Sequence, residues 1–366
     1  MISIEVLRRV RVIYCHAHCP DGLASAMILK DAFRMLGTSP RIEFLAHGTP
    51  EHENAGYLDG EKYGAVSLFC DIAPTAASVP FLLREHETIV LDHHKGAEEI
   101  VRSFGERGVF ADEKLEPGVS GAVLAFREIW EPIRASGFAE QAPAGTLLSA
   151  EVQDKWGFPS LVKEFALCVG VRDTWQTKDP RFQCGQWISK MLMSKPASYW
   201  LDYQMGYDGS RHLPYLSDNE IEAGRALFEA HEEAVRVAVD QCIRFELPPC
   251  TSLYAFQEQA SGFRLCSDVA ESLRGRMVVG EQSVVAGFSY IVDKPGGSPR
   301  LLYSLRGLNG FDVAAFAKDN GGGGHTAAAG FSVPLDALAG AYGTTSPYGY
   351  IHAALARFLN GVRARS

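Results

Sequence analysis

The chain has no Cys-x-x-Cys pair: its eight cysteines, from Cys15 to Cys266, are scattered. That excludes a disulfide scaffold and agrees with a reducing compartment. No apolar run approaches the length of a membrane span, and Met1-Ile-Ser-Ile-Glu-Val-Leu-Arg-Arg9 lacks the layout of a secretory leader. A cytoplasmic protein with no membrane partner is expected. Positive charge is also short, with 35 Lys and Arg against 44 Asp and Glu, a formal net charge of -9. Long duplex nucleic acid is therefore an unsuitable partner, because tracking it needs many phosphate contacts from Lys and Arg. A small anion held at a local site is compatible with this balance. There is no Gly-x-Ser-x-Gly elbow, no internal repeat and no low-complexity tract.

What remains is an ordinary globular composition, 46% hydrophobic and 22% charged, over 366 residues. That length exceeds one typical core, so two domains are expected. Short apolar runs recur through the first half, each followed by polar or acidic residues. Val12–Cys15 leads into His16-Ala-His-Cys-Pro-Asp21-Gly22 and then a small-residue helix over Leu23–Leu29. Ile42–Ala46 reads as a second strand. Ala65–Cys70 ends on Asp71, and Ile89–Leu91 ends on Asp92-His93-His94-Lys95. Gly108–Ala111 suits a short fifth strand, and helices are expected over 95–104 and 123–130 and on to about residue 200. Strand, polar turn and helix in succession predict a doubly wound α/β unit with a parallel sheet. Asp173 closes an apolar helix. A charged, Ala-rich helix over Asn219–Val239 precedes Leu247-Pro-Pro249, where the domains are expected to join. Beyond it, strands are expected at 253–256, 283–291 and 300–306, with 293–299 as a hairpin connection, and a short helix at 311–317.

Parallel strands bring their carboxyl ends to one rim, where ligands of open α/β sheets bind. His16, Asp21, Asp71, Asp92, His93 and His94 would lie there, joined by Asp173. Each has an ordinary reading as a turn, helix cap or solvated helix end, and Cys15, His16, His18 and Cys19 would suit zinc had a second Cys/His pair followed. Taken together, two imidazoles with three or four carboxylates fit a pair of divalent cations sharing a carboxylate. Such ions, about 3.5–4 Å apart, clamp an in-line displacement at phosphorus. Asn320-Gly-Gly-Gly-Gly-His325-Thr-Ala-Ala-Ala-Gly330 reads as a backbone approach to an anion, with a flexible linker as the alternative.

These motifs resemble the DHH phosphoesterase superfamily, in the branch with a DHH-associated C-terminal domain. The likeness rests on His16 through Gly22, Asp71, Asp92-His93-His94, Ser120-Gly121-Ala122, Asp173, Ser304-Leu305-Arg306 and Gly321 through Gly330. It implies an N-terminal doubly wound parallel-sheet domain over 1–214, a linker helix over 215–245 and a smaller C-terminal α/β domain with a mixed sheet over 246–366, with a cleft between them. It implies two Mn2+ ions, with Mg2+ or Co2+ as substitutes. His16, Asp21 and Asp71 would hold one ion, and Asp71, His93 and Asp173 the other. Asp92 would orient His93, and His94 would face the substrate phosphate. Arg306, Gly322, Gly323, Gly324 and His325 would bind the terminal phosphate or base. Many relatives carry an Asp where this chain has Leu23, so water or His18 would complete that ion's shell.

A metal-dependent phosphodiesterase that cleaves short oligoribonucleotides or linear dinucleotides such as pGpG or pApA to mononucleotides is the leading expectation. A phosphomonoesterase on a 3′,5′-bisphosphonucleotide or an exopolyphosphatase would use the same centre. A non-catalytic nucleotide sensor is the reading from another class. The sequence leaves a homodimer open.

Overall fold

The computed structural model describes residues 2–55, 65–112, 114–136, 158–203, 218–248, 250–258, 265–277, 280–291, 299–336, 338 and 346–363. They form two compact units, Met1–Phe228 and Glu229–Ser366.

The first unit is built on five strands: β1 (Val10–His16), β2 (Arg41–Leu45), β3 (Val66–Cys70), β4 (Glu87–Asp92) and β5 (Gly108–Phe110). They are parallel throughout and ordered β2-β1-β3-β4-β5. The expected doubly wound sheet is therefore present. β3 is buried along its whole length. Side chains alternate between two cores. Ile13, Cys15, Leu68, Cys70, Ile89 and Leu91 enter one, and Tyr14, Phe69 and Val90 enter the other. Burial on both faces explains why these strands read as unbroken apolar runs rather than as alternating ones. Helix Pro20–Met35 follows β1, and helix Phe158–Asp173 packs against it.

The helix expected over 123–130 runs from Gly121, and its middle, Ala125–Trp130, is π-helical. The wide turn lies directly before Pro132, which has no N–H for the Glu128 carbonyl. Among the described residues no helix is long and apolar enough to cross a membrane.

The division between units falls inside helix Asp218–Asp240. The second unit holds a mixed six-stranded sheet: β6 (Ile243–Leu247), β7 (Thr251–Gln257), β8 (Gln282–Ile291), β9 (Arg300–Leu308), β10 (Gly323–His325) and β11 (Ala328–Pro334), ordered β10-β11-β9-β8-β7-β6. β7 and β8 are parallel; the other pairs are antiparallel. β8 and β9 pair as the hairpin reading requires, but residues 292–298 of the connection lie outside the described residues. β6 corrects the expectation that the linker runs to residue 245. Phe245 and Leu247 alternate with polar neighbours and pack into the core, so the chain re-enters a sheet before Pro248.

Candidate metal centre

The site is assembled from strand ends. Asp21 lies in the first turn of helix Pro20–Met35, with Pro20 at its start, and is fully buried. Ser120, Gly121 and Ala122 grip its carboxylate. The Ser120 hydroxyl donates to Oδ1 at 2.6 Å, the Gly121 N–H to Oδ2 at 2.7 Å and the Ala122 N–H to Oδ1 at 3.0 Å. A Cβ on Gly121 would stand 2.4 Å from Asp71 Cβ and 2.8 Å from Asp21 Oδ2. Only glycine lets this main chain come so close to both acids.

Asp71 leaves β3 with φ +63, in the left-handed region that costs a non-glycine residue about 1–3 kcal/mol. The turn aims its carboxylate at the rim. Oδ1 lies 3.1 Å from His93 Nε2, and Oδ2 lies 3.8 Å from His16 Nδ1. Both Asp71 Oδ2 and His16 Nδ1 are buried without a hydrogen-bond partner. Unpartnered polar atoms at such depth are costly, and two facing each other point to a missing common partner. Burial first, and the neighbouring Asp21 carboxylate second, push Asp71 well above the usual carboxylate range. Burial, then the rings of His47 and His94, lower His16 to about 4, so it is a neutral imidazole fit for metal ligation.

His93 Nε2 is ringed by acids: Asp71 Oδ1, Asp173 Oδ2 at 3.5 Å and Asp21 Oδ2 at 3.8 Å. Among the described residues, three donor groups each have their ligand atoms within 4.8 Å of one another: His16, Cys19 and Asp71; Asp71, His93 and His94; Asp21, His93 and Asp173. Asp71 is common to two of them. This donor set fits a hard or borderline divalent cation, with nitrogen and carboxylate oxygen dominant and one sulfur at the edge. His16, Asp71, His93, Asp21 and Asp173 are the residues that would hold it.

All five residues expected as ligands are brought together, with two differences of detail. Asp21 groups with His93 and Asp173 rather than with His16, because Ser120–Ala122 draw its carboxylate to that side. Asp92 acts differently from expectation. Its Oδ1 accepts from the main-chain N–H of His93 at 2.7 Å and of His94 at 3.0 Å, and it meets His94 Nδ1 at 2.7 Å. The ring it orients is that of His94. That hydrogen bond raises His94 above its ordinary range.

Two residues stand at the centre outside the expected ligand set. Cys19, rather than His18, stands with His16 and Asp71; burial and then Asp21 push its thiol up to about 12. His47 stands with its ring centroid 5.0 Å from that of His16 and 6.4 Å from that of His94. It follows the carboxyl end of β2 by two residues, so the strand-end rule could have found it.

In the second unit, Arg306 of β9 is opposite Ala328 of β11, which is opposite His325 of β10. Residues directly opposite share a face, so Arg306 and His325 lie on one side of the sheet. Arg306 Nε donates to Ser267 Oγ at 2.9 Å. The glycine run is a hairpin, not a linker. The Gly321 and Gly322 N–H groups close the preceding helix on Lys318 and Ala317 carbonyls. Gly324 has φ +142, and a Cβ there would lie 2.5 Å from the Ala328 carbonyl.

No family model and no curated protein matches this chain. It is similar to a solved DHH-domain structure. That protein, described as a member of the s1p family of ribosomal proteins, is 12% identical with a TM-score of 0.46, over 97% of this chain and 88% of its own. The chain is also similar to a pGpG-specific phosphodiesterase from Vibrio cholerae (12% identity, TM-score 0.45, 96% and 99% covered). A third similar structure is exonuclease RecJ bound to manganese (15%, TM-score 0.43, 94% and 90%).

Proposed function

We propose that the chain is a DHH-type, divalent-metal-dependent phosphodiesterase that hydrolyses linear dinucleotides or very short oligoribonucleotides to mononucleotides. The observation that carries this reading is the meeting of His16, Asp21, Asp71, His93 and Asp173 at one sheet rim, with Asp71 shared between donor groups. Two Mn2+ ions held there would supply an activated water and neutralise charge at phosphorus. The chain's own residues do the rest. Asp92 holds His94 by Nδ1, which favours the protonated ring and turns Nε2 to a phosphate oxygen or departing alkoxide. Ser120, Gly121 and Ala122 keep Asp21 from swinging away.

In the second unit, β10 is an edge strand among the described residues, and part of its glycine main chain has no strand partner among them. With Arg306 and His325 on one face, Gly323 and Gly324 form the grip for a terminal phosphate or base, and Gly322, its N–H spent on the Ala317 carbonyl, holds that turn in place. The net negative charge suits a small substrate better than a long polyanion.

The test is a purified-protein assay in Mn2+ against linear dinucleotides, longer oligoribonucleotides, polyphosphate and a 3′,5′-bisphosphonucleotide. Dinucleotide cleavage that stops in chelator is expected. Consumption of polyphosphate alone would overturn the substrate reading. A sensor would keep its ligand response in His93→Ala, whereas the enzyme loses turnover.

A further inference from the structure

The first unit contains a cavity of about 660 Å³ whose lining includes His16 and Cys19 of the candidate metal centre. Away from those two residues its character changes. Leu23, Phe44 and Met193 give it apolar walls, and Lys195 adds a cation. Leu23 lies two residues beyond Asp21 in the same helix. The position where many DHH relatives carry an acid thus forms apolar wall here. Lys195 is exposed, and among the described residues no carboxylate pairs with it; its Nζ lies 5.8 Å from the Tyr199 ring centroid.

We propose that this cavity is the seat of a nucleobase, belonging to the nucleotide whose phosphate sits at the His16–Asp71 rim. The inference rests on the phosphoesterase reading and deepens it by naming what lies next to the phosphate. A base has apolar faces and a polar edge. Leu23, Phe44 and Met193 suit the faces, and Lys195 suits a ring carbonyl or a neighbouring phosphate. A chain of phosphates would gain nothing from apolar walls, so the cavity favours a nucleotide over polyphosphate. Its volume falls in the range of small-ligand sites, roughly 300–1,000 Å³.

The test compares adenosine and guanosine 5′-monophosphates with ribose 5-phosphate, titrated calorimetrically into the full chain loaded with Mn2+. The monophosphates should bind at least tenfold more tightly, the difference being the base. Ala197→Trp, which fills the cavity, and Leu23→Asp, which charges its wall, should each bring that ratio towards one. Mn2+ binding, titrated separately on each variant, distinguishes a filled cavity from a damaged centre. Where Ala197→Trp fails to fold, Phe44→Ala carries the same comparison. Equal affinities in the wild type, or a ratio untouched by the variants, would overturn the proposal whether or not any ester is hydrolysed. Free nucleosides provide the arm that needs no metal. Saturation-transfer contacts to adenosine or guanosine that disappear in Ala197→Trp would uphold the cavity even if all turnover assays failed. Absence of contacts in the wild type, together with equal affinities, would end it.

Discussion

At the rim of the first sheet, Asp71 leaves one carboxylate oxygen without a donor and His16 leaves Nδ1 without a partner. In the glycine hairpin of the second, the main chain closes on itself through helix-end and strand hydrogen bonds. Both stretches look chemically loaded in the sequence, yet only the first is left with buried, unmet demand. Acids pressed together at a left-handed backbone position are costly to the protein unless a cation relieves them. The hairpin needs no ligand to be stable, so any anion it takes meets an already finished surface.

That contrast is broken most severely at Asp71. Asp71→Asn should lower Mn2+-dependent turnover by more than about a hundredfold, beyond the 10–100-fold cost of losing a residue that merely supports a ligand. In chelator the same variant should melt at or above the wild type, because a neutral amide removes a carboxylate that burial and Asp21 disfavour. Mn2+ should raise the wild-type melting temperature far more than that of the variant. Calorimetric melts with and without metal check both signs. A variant that binds Mn2+ as the wild type does would remove Asp71 from the centre.

Gly121→Ala comes next. Its methyl would meet Asp71 Cβ at 2.4 Å, so one acid or the helix start must shift. About 1–3 kcal/mol of stability should be lost to overpacking, with Mn2+ affinity down roughly 10–100-fold. Ser120→Ala costs a similar amount of stability but is milder towards the metal. It removes one of three donors on Asp21 and should cost about 1.5–3 kcal/mol, with Mn2+ affinity falling roughly tenfold. Denaturant titrations and metal binding measure each. Equal Mn2+ affinity in Ser120→Ala would show that the two main-chain donors alone hold Asp21.

These residues also mark the limit of what can be read from sequence. Buried parallel strands write themselves as short apolar runs, so β1, β3 and β4 were legible, and with them His16, Asp71, Asp92 and His93. Asp173 was legible only as the end of an apolar helix. Ser120-Gly121-Ala122 stood out through the resemblance, but their grip on Asp21 was not legible, because they lie 99 to 101 positions away from it. The expected pairing of Asp21 with His16 took no account of that grip, which leaves the Asp21 carboxylate grouped with His93 and Asp173. β6 was missed although Ile243-Arg-Phe-Glu-Leu247 alternates, because five residues directly after a long charged helix were read as the end of that helix. The glycine run was ambiguous for a physical reason. Close strand packing and close anion approach both demand the absence of a Cβ.

Gly323 and Gly324 separate those two demands. Gly324→Ala should destabilise the second unit, since φ +142 and the Ala328 carbonyl at 2.5 Å leave no room for a methyl. Gly323 has nothing within 4 Å of where its Cβ would stand, so Gly323→Ala should change stability by less than about 0.5 kcal/mol. If the edge of β10 meets substrate phosphate, that harmless methyl still obstructs it, and KM for a linear dinucleotide should rise about threefold, an increment of well under 1.4 kcal/mol. Mn2+ affinity, seated in the other unit, should not move. An unchanged KM alongside unchanged stability would assign the glycine run to hairpin packing alone, and leave Arg306 and His325 as the candidate contacts to the anion among the described residues of the second unit.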